Sequence, residues 1–123
     1  TQWRAWMLGA YDGDTITVRA DMGFFDTSTK DVRILGINAP ELKIGTKTSR
    51  ARGLSCKLYL QSIAPVGAAV QLTTTMAKDP QDPTEKYGRF LGQVTVWRYD
   101  GTSFDLATAM LAFGHGVVAY NPT

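Results

Sequence analysis

The sequence predicts an α+β fold, mainly β, with a five-stranded barrel and two to three packed helices. This class rests on about five segments with β character and on two segments with helical spacing. A small barrel needs about five strands. The 123 residues are 44% hydrophobic and 20% charged, as in an ordinary globular chain. Since single cores usually run to roughly 100–200 residues, we expect one domain that spans residues 1–123.

The strands are predicted from alternating polar and apolar residues, which is the pattern of a half-buried strand. Residues 15–20 alternate directly after Asp12-Gly13, a dipeptide suited to a tight turn. A second run, residues 31–36, has Val32 and Ile34 on one face. The other β-rich segments are residues 3–11, 69–75 and 90–98.

Two further segments are predicted to be helices. Between residues 48 and 63 the apolar side chains recur at helical spacing, and Pro65 ends the segment. Residues 105–113 carry a second apolar stripe, which begins at an N-capping aspartate and ends before Gly114. Residues 76–86 contain two prolines and mixed charge, so we expect a surface loop there.

Composition excludes several classes of protein. No apolar run approaches the roughly 20 residues of a membrane-spanning helix, so we expect no membrane partner. The single cysteine, Cys56, excludes an intrachain disulfide and a multi-cysteine zinc site. A net charge of +2 is only mildly basic, so charge alone does not indicate a partner. Nothing points to an obligate protein partner, and we expect a monomer. The lack of a charged-then-apolar leader is compatible with a secreted bacterial protein and with a phage- or plasmid-encoded one.

Three short segments hold more charged and amide groups than packing requires. Residues 12–15 place two carboxylates at a turn, and residues 33–41 run from an arginine into a proline-fixed loop with an amide and a carboxylate. Residues 87–89 add an arginine between a loop and a strand. Carboxylate and amide oxygens suit a hard cation such as calcium. Arginine matches phosphate oxygens two at a time. The segments together predict a site for a cation beside a phosphate.

These segments resemble the motifs of the staphylococcal nuclease (thermonuclease-like) family, in the same order and with similar spacing. The family's hallmarks are a D-G-D-T turn, an arginine-to-glutamate stretch ending in P-E, a Y-G-R and a late G-x-x-x-V-A-Y. They stand here at residues 12–15, 33–41, 87–89 and 114–120. Each motif alone is weak, but all four in register are a strong signal. The resemblance covers most of the chain and implies an OB-type barrel, in agreement with the strand and helix count.

The resemblance also implies a set of metal ligands. Asp14 matches the leading metal carboxylate, Ala39 the residue that gives a backbone carbonyl, and Asp12 an acid near the metal. Glu41 matches the acid that orients or deprotonates the attacking water and reaches the metal through water. Asn38 stands where the family has a second aspartate ligand. An amide oxygen still coordinates, but one negative charge is lost, so we expect weaker metal affinity.

Arg33 and Arg89 match the family's phosphate-binding arginines, while Lys86, Tyr87 and Tyr120 match its nucleotide contacts. The implied cofactor is Ca²⁺, with Mg²⁺ and Mn²⁺ as alternatives. The implied activity is endo- and exonucleolytic hydrolysis of DNA and RNA with low sequence specificity, giving 3′-phosphorylated fragments. Because one acid is missing, the alternative is a catalytically weakened or inactive nucleic-acid-binding module.

Plainer interpretations exist for most of these residues. Residues 12–14 suit a simple hairpin turn, and Arg33 suits a strand position that faces solvent. His115 lacks the partners of a catalytic triad, which favours a surface or capping role. Cys56 is interpreted as a semi-buried, unreactive thiol. The cations between residues 43 and 57 are either the solvated face of a helix or a surface that steers a polyanion.

Overall fold

The computed structural model describes residues 2–78 and 90–120. The α+β class is confirmed, because five strands close into an OB-like barrel and two helices pack against it within these residues. In chain order the elements are β1 (Gln2–Asp12), β2 (Thr15–Gly23), β3 (Asp26–Ile34), β4 (Ile37–Asn38), α1 (Lys47–Ile63), β5 (Ala69–Lys78), β6 (Phe90–Trp97), β7 (Ser103–Asp105), α2 (Leu106–Phe113) and β8 (Val118–Ala119).

The barrel is built around β1, which pairs antiparallel with both β2 and β5. On either side, β2 pairs with β3 and β5 pairs with β6, again antiparallel. Parallel pairing of β3 with β6 closes the ring, with Val32–Ile34 opposite Phe90–Gly92. In the β2–β3 pair, Thr15 lies opposite Arg33. The turn after β1 and the loop after β3 therefore lie at the same end of the barrel.

The barrel interior is filled by alternate residues of its strands, as the period of two predicts. Ile16 and Val18 of β2 are fully buried, and Val32 and Ile34 of β3 are 1% exposed. Both helices complete the core from outside the barrel. Their fully buried residues are Cys56 and Leu60 of α1, with Leu106 and Met110 of α2.

The helix ends are fixed by local hydrogen bonds. The Thr46 hydroxyl accepts the N–H of Ser49 at 3.1 Å, which caps α1. The predicted cap of α2 is confirmed, since the Asp105 carboxylate accepts the N–H of Thr108 at 3.0 Å. Gly114 follows α2 at φ +76°, as expected of a glycine that ends a helix. Neither helix in the described part of the chain is long and apolar enough to cross a membrane.

Several strand bounds differ from the predicted ones, most of all at the β2–β3 hairpin and at the end of β5. β3 also ends at Ile34 rather than at residue 36. β2 and β3 run on beyond the predicted segments to a hairpin whose tip is Phe24 and Phe25. The alternation fades there because the ends of both strands are largely exposed, so no face has to be apolar. The predicted 76–86 loop begins later than expected, since β5 continues to Lys78. The rest of that loop lies outside the described residues.

Candidate functional site

The candidate site begins at the turn between β1 and β2. Asp12 ends β1 opposite Thr15, the first residue of β2. The Asp12 Oδ1 atom accepts the backbone N–H of Asp14 at 3.0 Å. An aspartate that binds the backbone two residues later forms its own turn, so the predicted turn at Asp12-Gly13 is confirmed. The same bond brings two buried acids next to each other, with Asp12 8% and Asp14 9% exposed.

The Asp14 side chain ties β2 to the loop that follows β3. Its Oδ1 accepts the Thr15 hydroxyl at 3.1 Å, and its Oδ2 accepts the N–H of Ala39 at 2.9 Å. Its backbone carbonyl accepts the N–H of Ile34 at 2.8 Å. The position of this carboxylate is therefore set from both strands. Because a carboxylate has about four acceptor sites, it still has acceptor capacity for a ligand.

Arg33 is buried at the same barrel end, with 2% of its surface exposed. The solvent-facing interpretation of this residue is therefore wrong. Its Nη2 donates to the amide oxygen of Asn38 and to the Ile37 carbonyl at 3.4 Å, and lies 3.9 Å from Asp14 Oδ2. The guanidinium carbon lies 5.0 Å from the centre of the Tyr120 ring, in cation–π range. These contacts hold the charged guanidinium of Arg33 in a buried position, where packing alone would favour an apolar side chain.

The last predicted motif reaches the site through a second, two-stranded sheet. β4 pairs antiparallel with β8, so that Ile37 lies opposite Ala119 and Asn38 lies opposite Val118. The Tyr120 N–H then donates to the Gly36 carbonyl at 2.8 Å. Motifs that are far apart in the sequence are thus brought together at one end of the barrel.

Helix α1 packs directly against the site at two glycines. A Cβ at Gly13 would lie 2.7 Å from the Cys56 Cβ and 2.8 Å from the Ala39 Cβ. A Cβ at Gly53 would lie 2.7 Å from the backbone carbonyl oxygen of Glu41. Glycine is required at both positions, because an added Cβ would overlap side-chain Cβ atoms at Gly13 and backbone oxygens at Gly53. The sequence indicated Gly13 only as a turn residue and gave no reason to single out Gly53.

Glu41 adds a third acid to this end of the barrel. It is exposed, unlike Asp12 and Asp14. Burial is the largest cause that raises the pKa of Asp12 to about 7, and a side-chain hydrogen bond to Asp14 and the negative charges of Asp14 and Glu41 act in the same direction. The hydrogen bond from the backbone N–H of Asp14 acts against them. The charges of Asp14 and Glu41 therefore repel the ionised Asp12 carboxylate. A bound cation would relieve this repulsion.

The donors at this site fit a hard cation in their chemistry, since carboxylate, amide and carbonyl oxygens are the ligands of calcium and magnesium. Asp14 and Glu41 offer carboxylates, and Ala39 offers a backbone carbonyl. Among residues 2–78 and 90–120, however, no three acids, histidines or cysteines converge on a metal position. The Asn38 oxygen is bound to Arg33 and would have to turn from it to bind a cation. Such a site would therefore need backbone oxygens and water in addition to the carboxylates.

Three of the predicted site residues lie outside the described part of the chain. They are Lys86, Tyr87 and Arg89. Their assignments as nucleotide- and phosphate-binding residues stay predictions.

His115 and Cys56 take no part in the cluster of polar side chains. His115 is exposed, and its ring stacks on Phe113 with 4.2 Å between the ring centres. Cys56 is fully buried, which is deeper than the predicted semi-buried position, and burial raises the pKa of its thiol. A buried thiol with a raised pKa is a poor nucleophile.

The cations between residues 43 and 57 lie mostly in solvent, as the simpler interpretation predicted. Four of them are exposed, namely Lys43, Lys47, Arg50 and Arg52, and the fifth, Lys57, is partly buried.

One side chain beside the site had not been singled out from the sequence. Tyr11 directly precedes the acidic turn and is 64% exposed. The sequence signal that could have identified it is an aromatic residue next to an acidic motif.

In comparisons with known proteins, the chain matches no protein-family model. No curated protein matches it either. The relation to the staphylococcal nuclease family therefore stays a prediction from the four motifs.

Proposed function

We propose that this protein is a metal-dependent phosphodiesterase that cleaves DNA and RNA with low sequence specificity, as its motifs imply. The observation that supports this most is the placement of Arg33. A buried guanidinium stands 3.9 Å from the carboxylate of Asp14, at the barrel end that also holds Asp12 and Glu41. Acids for a cation next to an arginine for a phosphate are the combination that phosphodiester hydrolysis needs.

In this proposal Arg33 binds the phosphate and stabilises the charge that develops on it. Hydrolysis adds a fifth oxygen to phosphorus and concentrates negative charge on the equatorial oxygens. Preorganised charges aimed at such a group are usually the largest contribution to the rate. Asn38, Asp14 and Tyr120 contact the guanidinium and restrict its motion before substrate arrives. Arg89 is proposed as the second arginine, with Lys86, Tyr87 and Tyr120 as nucleotide contacts.

Glu41 is proposed to orient the attacking water and to accept its proton. Its exposure leaves room for water, and its backbone is held against α1 at Gly53. A general base must lie within hydrogen-bond reach of the proton that it removes. The carboxylate then carries that proton while the new oxygen–phosphorus bond forms and the bond to the leaving oxygen breaks. The leaving oxygen takes a proton from solvent water and departs as a hydroxyl.

Ca²⁺ is the proposed cofactor, with Mg²⁺ and Mn²⁺ as alternatives. Asp14 would hold the cation, helped by the Ala39 carbonyl and by Glu41 through water, with Asp12 nearby. When bound, such a cation polarises a non-bridging phosphate oxygen. Asn38 supplies an oxygen but no charge, so we expect weaker binding than two carboxylates would give.

One observation favours a second candidate, a nucleic-acid-binding module without catalysis. The Asn38 oxygen is bound to Arg33, and Asn38 carries no charge toward a cation. If the cation does not bind, Arg33 and the surrounding cations would still attract a polynucleotide. Binding would then fall as salt rises.

Cleavage assays separate the two candidates. The protein is incubated with single-stranded DNA, duplex DNA and RNA, each with Ca²⁺, Mg²⁺, Mn²⁺ or EDTA. We expect cleavage that EDTA abolishes, and a loss of at least ~10²-fold in the Glu41→Gln variant. Binding without cleavage under every metal condition would overturn the nuclease and support the module.

A further inference from the structure

A groove of about 510 Å³ opens beside the candidate site, and we refer to it as the Tyr11 groove. Asp12 and Glu41 line it, so it is continuous with the acids of that site. Tyr11, Lys43 and Lys57 also line it. A volume of this size lies within the range of about 300–1,000 Å³ that is typical of ligand pockets. The proposed reaction at Arg33 and Glu41 assigns no role to the groove.

Part of the groove wall is bare backbone at Gly9. A Cβ placed on Gly9 would have no atom within 4 Å, so open space lies directly over this residue. The pairing of β1 with β2 is irregular between Met7 and Gly9, which marks a bulge at this point. A glycine where another molecule can approach the backbone closely is a recurrent feature of ligand sites.

The side chains around this wall combine an aromatic ring with two cations. Tyr11 is 64% exposed, so its ring is open to contact. Lys43 is exposed in the loop before α1, and Lys57 is partly buried on α1. Helix α1 is fixed next to the acidic turn because Cys56 packs against Gly13. An exposed aromatic ring beside cations is the arrangement by which proteins hold unpaired bases and their phosphates.

We propose that the Tyr11 groove binds a single-stranded stretch of polynucleotide that continues from the phosphate held at Arg33. This inference rests on the proposed function, because it extends the same substrate. Tyr11 stacks on a base, and Lys43 and Lys57 bind the flanking phosphates. A single strand is the expected occupant because the faces of duplex bases are already covered by their neighbours.

The test compares a long substrate with a short one. Gly9→Trp fills the groove where a Cβ meets no other atom, and Lys57→Gln removes one cation. Arg98→Gln is the matched charge control, since exposed Arg98 lies outside the groove lining. The readout is the ratio of kcat/KM for oligothymidylate to kcat/KM for a thymidine dinucleotide. We expect this ratio to fall by about 10-fold in both groove variants, which is the size of a lost base stack or phosphate contact.

Binding is measured in parallel, by fluorescence anisotropy of labelled oligothymidylate in EDTA. The groove variants should weaken binding by about 10-fold, and the control should not. Circular dichroism verifies the fold of Gly9→Trp. If Gly9→Trp unfolds, the result for Lys57→Gln alone tests the groove proposal.

The two proposals fail in different ways. If the wild-type protein cleaves neither substrate, the proposed nuclease activity is overturned. The anisotropy measurements then test the groove proposal on their own. Unchanged ratios and unchanged binding in the groove variants overturn the groove alone. Equal binding of single-stranded and duplex DNA also overturns it.

Discussion

Arg33 of β3 donates a hydrogen bond from Nη2 to the amide oxygen of Asn38 in β4. The same nitrogen lies 3.9 Å from the Asp14 carboxylate, so one guanidinium lies next to both residues that the motif resemblance predicts as side-chain metal ligands. One of the two is neutral here. Of these two residues, Asp14 supplies the negative charge next to Arg33. In the proposed metal site, the charge of residue 38 would set how strongly a cation is held.

Asn38→Asp should raise the affinity for Ca²⁺. The substitution adds a carboxylate of nearly the same shape, and affinity for hard cations follows ligand charge. Part of the new charge pairs with Arg33, so we expect a gain of about 10-fold, or about 1.4 kcal/mol. Titration calorimetry with CaCl₂ measures it, with Asn38→Ala as the matched variant in which affinity falls. Equal affinity in all three proteins would show that residue 38 is not a ligand.

Glu41→Gln should slow catalysis strongly without affecting the fold. Glu41 is exposed, and exposed substitutions usually change stability by less than about 0.5 kcal/mol. Loss of the base should lower the cleavage rate by at least ~10²-fold. Steady-state kinetics and urea unfolding measure the two effects. A stable Glu41→Gln variant that retains wild-type cleavage would remove Glu41 from the mechanism.

Arg33→Ala should lower both activity and stability, in contrast to Glu41→Gln. Arg33 is buried and bound to Asn38 and Asp14, so its removal leaves a cavity and a buried acid without its cation. Breaking a buried pair on one side costs about 3–5 kcal/mol. Urea unfolding measures the loss, and Asp14→Asn is the matched change on the acid side. A loss below about 1 kcal/mol would mean that Arg33 adds little to the fold.

Gly13→Ala should destabilise the protein through contact with α1. The added Cβ would lie 2.7 Å from the Cys56 Cβ and 2.8 Å from the Ala39 Cβ, so helix or loop must move. Overpacking of this kind costs about 1–3 kcal/mol. Gly9→Ala is the control, since its Cβ meets nothing within 4 Å. Equal stability of the two variants in urea would contradict the close packing of α1 on the turn.

The barrel strands were predictable where one face of the strand is buried. In residues 15–20 of β2, and at Val32 and Ile34 of β3, the apolar residue types follow from an apolar inner face. The β2–β3 hairpin tip, with Phe24 and Phe25, was missed because it has no buried face to impose a period. The parallel closure of β3 on β6 joins distant segments, and no local pattern records such a pairing.

The site was predictable as a set of residue types but not as a set of contacts. Motif order placed Asp14, Arg33 and Asn38 in one site, and the structure brings them together. The direction of the Arg33 side chain depends on tertiary packing, and its alternation within β3 suggested an exposed position. The hydrogen bond from the Ala39 N–H to the Asp14 carboxylate depends on how the loop after β3 returns to the turn between β1 and β2. No local sequence pattern encodes that return.

The β2–β3 hairpin should be stabilised by Asn-Gly in place of Phe24-Phe25. Both residues have positive φ, +52° and +67°, between the paired Gly23 and Asp26. A two-residue turn with positive φ at both positions favours Asn-Gly, whereas bulky residues are strained there. Since both rings are fully exposed, little packing is lost, and we expect a gain of about 1–2 kcal/mol. Urea unfolding measures the gain in the free energy of unfolding. A lower free energy of unfolding in the Asn-Gly variant would contradict this turn geometry.

The stability of the metal-free protein should fall as pH rises, because of Asp12. Its pKa is about 7 in the fold, against an ordinary value of 3.8. A raised carboxyl pKa means that the contribution of Asp12 is fully present below pH 3.8 and is lost as pH rises through about 7. Asp12→Asn keeps the oxygen that accepts the Asp14 N–H but does not titrate, so its stability should change less over this range. Thermal unfolding in EDTA between these two pH values measures the difference, with added CaCl₂ expected to reduce it in the wild type. Parallel pH profiles for the two proteins would show that Asp12 ionises in the fold as it does in the unfolded chain.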